Sequence, residues 1–478
     1  MAQGRAGASG ARRRNAVDSI PGHHCSHHRR PDERLTSDAC QVPTFPGESP
    51  ARSMAGLTRS RTGPRVAILS TSDIGGGAAR MTYRLYRALR DDGADAELHV
   101  RDRHSTDPSV RVYRTPAGLG GWRERRRSVR IAELDGAITH RPRGYEPFSF
   151  PQAASGRNLL RALNGYDVVN LHWVAGFADF DAIRAVAASV PVVWTLHDMN
   201  PFTGGCHYDD RCGRYRIGCG ACPQLGSEST SDLSSDIWMT KRGTFAAIPP
   251  GRLTFIAPSR WMAAAAEESP TIAGRPVRVI PNGIDLDCFH DRRSAADRAR
   301  FGIAADAHVV LFMSQYLSNR RKGLDRLLAA MGRLTANRET VLLALGHEPP
   351  AGLADLRAVH VPFEHDDALV ASACRAADVV AIPSVQDNLP NTAIEALACG
   401  TPVVASAVGG LREIIDDGTT GLLVSAEDAG AFAAALSRLL GNDALRAAMG
   451  RAGRLAAEQR YGLARCADAY RTLFAGLR

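Results

Sequence analysis

From residue 65 onward the hydrophobic positions fall into short β-branched runs separated by longer stretches of helical periodicity. Arg65–Thr71, Ala96–Val100, Asp167–Trp173, Val190–His197, Leu253–Pro258 and Val277–Pro281 are nearly continuous apolar runs, the mark of strands buried on both faces. Between them, Ala78–Asp92, Phe180–Ala188 and Arg260–Glu268 carry apolar residues at helical spacing. The alternation then begins again. His308–Ser314, Val341–Gly346, Ala358–Pro362, Asp378–Pro383, Pro402–Ala405 and Gly421–Val424 read as strands, and Leu324–Asn337, Asp366–Ala377, Asn391–Cys399 and Glu427–Leu440 as helices. The Ala/Arg/Leu-rich stretch Asp443–Arg478 reads as helical. This pattern predicts an α/β protein of two doubly wound domains, each built on a parallel sheet, joined near Asp285–Arg300. The expected divisions are 61–285, 286–450 and a final helical segment, 451–478, packing back toward the first domain. Ligands of such sheets lie beyond the carboxyl ends of the strands, so two facing sheets share one cleft.

Composition changes this picture little. The 478 residues are 44% hydrophobic and 23% charged, ordinary values for a globular chain. No stretch approaches the ~18 apolar residues of a membrane span, and no N-terminal apolar run resembles a secretory signal. A cytoplasmic protein is expected. The formal net charge of +9 suggests nucleic acid, but residues 1–65 hold 11 Arg against 5 acidic residues, leaving +3 for the remainder. Residues 1–60 are expected to be a disordered basic tail, too poor in apolar residues to offset chain entropy. Its His23, His24, Cys25, His27 and His28 read as a solvated polar tract rather than a metal site. Met54, eleven residues before the first strand, reads as an alternative start.

Three segments carry candidate chemistry. Ser72–Arg80 (SDIGGGAAR) follows a strand and opens a helix; its glycines allow close backbone approach, and the helix N-terminus favours anions. Ser314–Gly323 (SQYLSNRRKG) places Arg320, Arg321 and Lys322 at the carboxyl edge of the second sheet, where they can stabilise a departing diphosphate. In Pro383–Ser406 (PSVQDNLPNTAIEALACGTPVVAS), Asp387 lies in a loop and Glu395 eight residues later in a helix. A carboxylate suits the hydroxyl pairs of a sugar or ribose, since it accepts two hydrogen bonds at once.

This last segment, with the following VGGLREIIDDGTTGLLV, resembles the family 4 (group 1) retaining glycosyltransferases of GT-B fold. The likeness extends over roughly residues 65–460 and includes VIPNGIDLDCF (Val279–Phe289), IAPSRWM (Ile256–Met262) and the Lys322–Gly323 pair. Trp194–Tyr208 (WTLHDMNPFTGGCHY) is similar to a subgroup found in exopolysaccharide and colanic-acid gene sets. The resemblance implies two facing Rossmann-like domains and an NDP-sugar donor. It also implies roles. Glu395 would hold the ribose hydroxyls, and Asp387 hydroxyls of the donor sugar. The backbone N–H groups of Asn388 and Leu389 would border that sugar or its phosphate. Lys322, with Arg321 or Arg320, would neutralise the diphosphate; His197 would lie at the reaction centre; and Gly76 and Gly77 would line the phosphate side. His197, Lys322 and Asp387 are thus the candidate catalytic residues, and Asp198 is expected to orient the His197 ring. Retention without a nucleophile would proceed by front-face attack, with cations in place of a catalytic metal. The family usually has Glu where this chain has Asp387, a reach shorter by ~1.5 Å, and the basic residue usual after the first strand of the second domain is absent from Ser314–Gln315.

Two features stand outside that pattern. Cys206, Cys212, Cys219 and Cys222 share the loop 204–224 with spacing C-x5-C-x6-C-x2-C; structural zinc, reduced thiols or a redox pair are the alternatives. Gly121–Leu134 (GWRERRRSVRIAEL) sets Arg123, Arg125, Arg126, Arg127 and Arg130 beside Trp122. It reads either as a solvated helix or loop, or as contact with anionic lipid at the inner face of the plasma membrane. The expected partners are therefore a nucleotide sugar and a glycan, lipid-linked or small-molecule acceptor, without nucleic acid. The competing functions are a GT-B sugar-nucleotide epimerase and a non-enzymatic zinc-bearing binding protein.

Overall fold

The computed structural model describes residues 63–114, 119–153, 158–334, 339–348, 357–362 and 366–477. The first seven strands are β1 (Val66–Ser72), β2 (Ala96–Asp102), β3 (Arg111–Val112), β4 (Val168–Leu171), β5 (Val192–Thr195), β6 (Leu253–Ala257) and β7 (Val277–Val279). They form one parallel sheet in the order β3-β2-β1-β4-β5-β6-β7. The remaining six, β8 (His308–Tyr316), β9 (Thr340–His347), β10 (Ala358–Val361), β11 (Val379–Ile382), β12 (Val403–Ser406) and β13 (Gly421–Val424), form a second parallel sheet in the order β10-β9-β8-β11-β12-β13. Strand order reverses between β1 and β4 in the first sheet and between β8 and β11 in the second. At such switch points the flanking loops part and leave a crevice. The Gly-rich segment follows β1, the Arg320–Lys322 segment follows β8 and the Asp387 segment follows β11. All three are thereby gathered between the sheets.

Period-two alternation drives each sheet into two cores. Val66 and Ile68 face one core of the first domain while Ala67 and Leu69 face the other. In the second domain Val310 and Phe312 are divided in the same way from Val309 and Leu311. The helix Leu463–Ala475 completes the first domain: Tyr470, Leu473 and Phe474 are buried with Val66, Ile68, Leu85 and Leu98. The chain passes between the domains at Ile284 and again at Gly462, and the two passages are hydrogen-bonded side by side, Ile284 N to Tyr461 O at 2.7 Å and Leu463 N to Ile284 O at 2.9 Å.

The two-residue strand β3 and the helices Asn158–Ala162, Leu233–Ala246, Ala295–Ala299 and Leu411–Ile414 go beyond the hydrophobic pattern. The second of these is polar along most of its length but is started by Asp232, whose carboxylate accepts from Ser234 N and Ser235 N. Leu324–Met331 ends earlier than its periodicity suggested, at Gly332. The basic stretch forms a helix, Leu119–Ala137. The expectations for the tail, its histidines and Met54 lie outside the described residues.

Candidate active site

Arg320–Lys322 form a single tight turn after β8, opened by the Asn319 side chain, which accepts from Arg321 N at 3.0 Å. The next residue, Gly323, has φ +73°, and a Cβ there would sit 2.1 Å from the Pro383 carbonyl oxygen. Only glycine lets this turn seat against the segment leaving β11. The seating sets Lys322 Nζ 2.7 Å from Asp387 Oδ2 and Arg321 Nη1 3.2 Å from Asp387 Oδ1. Ser384 Oγ donates to the same carboxylate at 3.0 Å, and Arg321 Nη1 donates to Gln386 O at 2.8 Å. Burial opposes the charge on Asp387, but Lys322 and Arg321 outweigh it and hold the carboxyl below its ordinary range. Of the two candidate arginines, Arg321 is therefore the partner of Lys322. It also pairs with Glu146 at 2.5 Å and lies 4.0 Å over the Tyr208 ring. Arg320 stands apart: its side chain is 60% exposed and its nearest carboxylate, Asp210, is 3.8 Å away.

The neighbouring Asn388 clamps this loop to the first domain. Its Nδ2 donates to Leu196 O at 2.9 Å and His197 O at 3.1 Å, and its Oδ1 accepts from Ser259 Oγ at 2.7 Å. Leu389 is buried, its carbonyl accepting from Asn282 Nδ2 at 3.4 Å. Asp387 is thus held close to His197, two residues past the end of β5. The expected Asp198–His197 contact is not made. Asp198 accepts instead from His207 Nδ1 at 2.6 Å, Trp173 Nε1 at 2.8 Å and Asn200 N at 2.9 Å. Adjacent residues leaving a strand project in different directions, and the buried carboxylate is satisfied by the side away from His197. The His197 ring meets His172 instead, Nε2 to Nδ1 at 2.9 Å. Burial lowers its pKa to about 4, with the nearby Asp198 charge opposing, so the ring is neutral at neutral pH. A pocket adjoins it, lined among others by Phe150, Trp173, His197, Asp198 and His207.

Glu395 is 1% exposed in the helix Asn391–Ala398. Its Oε1 accepts from Arg84 Nη2 at 2.9 Å and Arg80 Nη2 at 3.3 Å. Both arginines come from the first-domain helix Gly77–Asp91, four residues apart and so on one face. Asp367 accepts from the same pair, at 2.8 Å from Arg84 Nε. Gly76 caps this helix with φ +95°, and a Cβ on it would stand 2.7 Å from Gln315 Oε1. The Gly77 carbonyl accepts from Asn391 Nδ2 at 3.0 Å. The Gly-rich turn therefore abuts the second domain at the N-terminus of the Glu395 helix.

The four loop cysteines, all free thiols, line a common pocket. Burial pushes the Cys219 thiol up to about 12. Among the described residues no three His, Cys, Asp or Glu side chains are grouped to hold a metal ion. The loop nonetheless reaches the site: Asp209 Oδ1 accepts from Gln386 Nε2 at 2.8 Å, and Tyr208 underlies Arg321.

Sequence reasoning missed Arg80, Arg84, Glu146, Ser384, Tyr208 and His172. Only the arginine pair carried a signal, two cations on one face of a helix that opens at a glycine turn. The others are defined by contacts between segments far apart in the chain.

Residues 75–288 match the description Glycosyltransferase Family 4, and residues 307–442 match Glycosyl transferases group 1. A D-inositol 3-phosphate glycosyltransferase of Xylanimonas cellulosilytica is 31% identical over 460 residues, covering 86% of this chain and 97% of that protein. Among solved structures, sucrose-phosphate synthase of Thermosynechococcus elongatus superimposes with a TM-score of 0.61 at 23% identity, covering 86% of this chain and 99% of that one. An Anabaena protein, HepE, in complex with UDP-glucose gives 0.58 at 17% identity, covering 86% and 99%. These likenesses show the fold, two Rossmann-like domains of GT-B type. The relative's name does not carry the narrower exopolysaccharide or colanic-acid resemblance.

Proposed function

The chain belongs to glycosyltransferase family 4, and on that premise we propose that it transfers a hexose-type sugar, with retention of configuration, from a nucleoside-diphosphate sugar to a hydroxyl group presented beside His197. The observation that carries this reading is the convergence of Lys322 and Arg321 on Asp387 at the switch point of the second sheet, with the next residue, Asn388, bonded to the His197 carbonyl. Lys322 and Arg321 supply positive charge where a diphosphate would leave, the work a divalent metal does elsewhere. Asp387 accepts from hydroxyls of the donor sugar, Glu395 from those of the ribose, and the Asn388 and Leu389 backbone borders the sugar phosphate. Gly76 and Gly77 line the phosphate side, and Arg320 stands at its exposed rim. UDP-glucose in the Anabaena structure supports a uridine donor. The relative's name supports a small phosphorylated polyol as acceptor, and a glycan or a lipid-linked sugar is the other class. The test is a panel of nucleoside-diphosphate sugars in thermal unfolding. The true donor at a hundred times its Kd is expected to stabilise the fold by about 2.7 kcal/mol. A panel in which no nucleoside diphosphate shifts the transition would overturn the reading.

Two finer readings concern the surroundings. If Cys206, Cys212, Cys219 and Cys222 close on structural zinc, reduced protein should hold about one zinc per chain and lose it in Cys219→Ser. Elemental analysis without stoichiometric zinc leaves four thiols. The second reading concerns lipid. No helix of the described residues is long and apolar enough to cross a membrane. The helix Leu119–Ala137 does expose Trp122 and Val129, with Arg126 4.0 Å over the Trp122 ring. Docking on an anionic leaflet would give salt-sensitive sedimentation of residues 61–478 with anionic vesicles and none with neutral ones. Equally negligible binding to both favours a soluble acceptor.

A further inference from the structure

His172 is 1% exposed and its ring sits between two polar partners. Nε2 is 2.9 Å from Asn170 Oδ1, and Nδ1 is 2.9 Å from His197 Nε2. The direction of these hydrogen bonds is settled from the far end. Asn170 Nδ2 lies 3.2 Å from the Val193 carbonyl oxygen, which can only accept, and 3.3 Å from Thr195 Oγ1. The amide nitrogen therefore faces Val193, and Asn170 Oδ1 is left to accept from His172 Nε2–H. Burial, with the neighbouring His197 adding to it, keeps His172 uncharged. A neutral imidazole with its proton on Nε2 has a bare Nδ1, which can only accept, so the donor in the next bond is His197 Nε2–H. The two rings stack with centroids 5.1 Å apart.

We infer that His172 is a positioning residue for the transfer reaction: it holds His197 as the Nε2–H tautomer, so that His197 offers Nδ1 to the cleft as a hydrogen-bond acceptor. His197 Nδ1 has no hydrogen-bond partner among the described residues, and His197, half-buried as a residue, lines the pocket beside Trp173 and Asp198. The group it would receive is a hydroxyl of the donor sugar or acceptor, a donor of hydrogen bonds, rather than a carbonyl or phosphate oxygen. The backbone carbonyl of Val193 thus fixes the polarity of an atom at the cleft through two intervening side chains. Thr195 Oγ1 also lies 2.9 Å from Tyr470 OH, so the C-terminal helix braces the chain's inner end. The tautomer follows from the hydrogen-bond geometry together with the uncharged state of the buried His172; its use in the reaction rests on the proposed place of His197 at the reaction centre.

The experiment compares wild type, His172→Asn and His172→Phe by ring nitrogen-15 spectra and by steady-state transfer kinetics, with His197→Gln assigning the His197 signals. Both His172 variants lose the donor to Asn170. Only asparagine keeps an acceptor, its Oδ1, near the place of the imidazole Nδ1. The expected result is a protonated Nε2 and a bare Nδ1 on His197 in wild type and His172→Asn. In His172→Phe the proton should shift to Nδ1 and kcat/KM should fall about tenfold or more below the asparagine variant. A wild-type His197 protonated on Nδ1 overturns the inference even if the phenylalanine variant fails to fold, and so does equal kcat/KM in the two variants. Full activity of His197→Gln would instead overturn the placing of His197 at the reaction centre, while the tautomer result would stand.

Discussion

Replacing Lys322 with alanine is expected to lower kcat by about 10²- to 10³-fold, the usual effect of removing one group that stabilises developing charge. The cluster explains why the loss should be that large. Lys322 and Arg321 carry two positive charges, and Asp387 and Glu146 carry two negative ones within hydrogen-bonding distance of them. Without Lys322 the cluster is left with one net negative charge, placed where a diphosphate leaves. Arg321 cannot compensate, since it is already bound to Glu146, Asp387 and the Gln386 carbonyl. The lysine is a side chain on a short turn whose backbone is fixed by Asn319 and Gly323, and Asp387 keeps Arg321 and Ser384, so the variant should fold, with lower stability. Kinetics with both substrates varied, beside circular dichroism of the variant, measure this. Turnover within about a factor of two of wild type would remove Lys322 from the leaving-group role.

Glu395→Ala should have two separable consequences. Nucleoside-diphosphate affinity is expected to fall by about 1.5–3 kcal/mol through loss of a charged hydrogen-bonding partner. Unfolding free energy is expected to fall by about 3–5 kcal/mol, because Arg84, 6% exposed, loses one of its two carboxylates and remains buried. The double variant Glu395→Ala/Arg84→Met removes both members of that pair. It should recover much of the stability and none of the nucleotide affinity. Calorimetric titration and denaturant unfolding on the three proteins decide the matter. Affinity that returns with stability would show that Glu395 acts through the ion pair alone and does not touch the ribose.

Both sheets were legible because a strand covered on two faces must be apolar at nearly every position, and few other structures demand that. The strand β3 was not, since two exposed residues carry no pattern. The helix Leu233–Ala246 depends on its cap and on tertiary packing of Ile237, Trp238 and Phe245 rather than on a regular apolar stripe. In the site, Asp387, Lys322 and Glu395 stood out because each lies in a short segment whose neighbours are also constrained. Arg84 did not, because its partner lies 311 residues away. Reading Asp198 as the orienting group for His197 assumed that neighbours in sequence face one another; here the orienting group comes from β4's end, 25 residues earlier, through a contact that only the parallel pairing of β4 with β5 creates.

The helix Leu463–Ala475 has a consequence for how the protein is made. Its Cys466, Ala467, Tyr470, Leu473 and Phe474 fill the face of the first sheet formed by Val66, Ile68, Leu98 and Val100. Those strand residues leave the ribosome long before the side chains that cover them, with the whole second domain in between. Chains usually fold domain by domain from the N-terminus during translation. Here the first domain has to wait, with one apolar face of its sheet uncovered, until the whole second domain and the helix Leu463–Ala475 have been made. The vulnerable species in the cell is therefore the nascent chain that still lacks this helix, and a stop codon before Leu463 would release the two domains with that face exposed to chaperones and to other copies of itself.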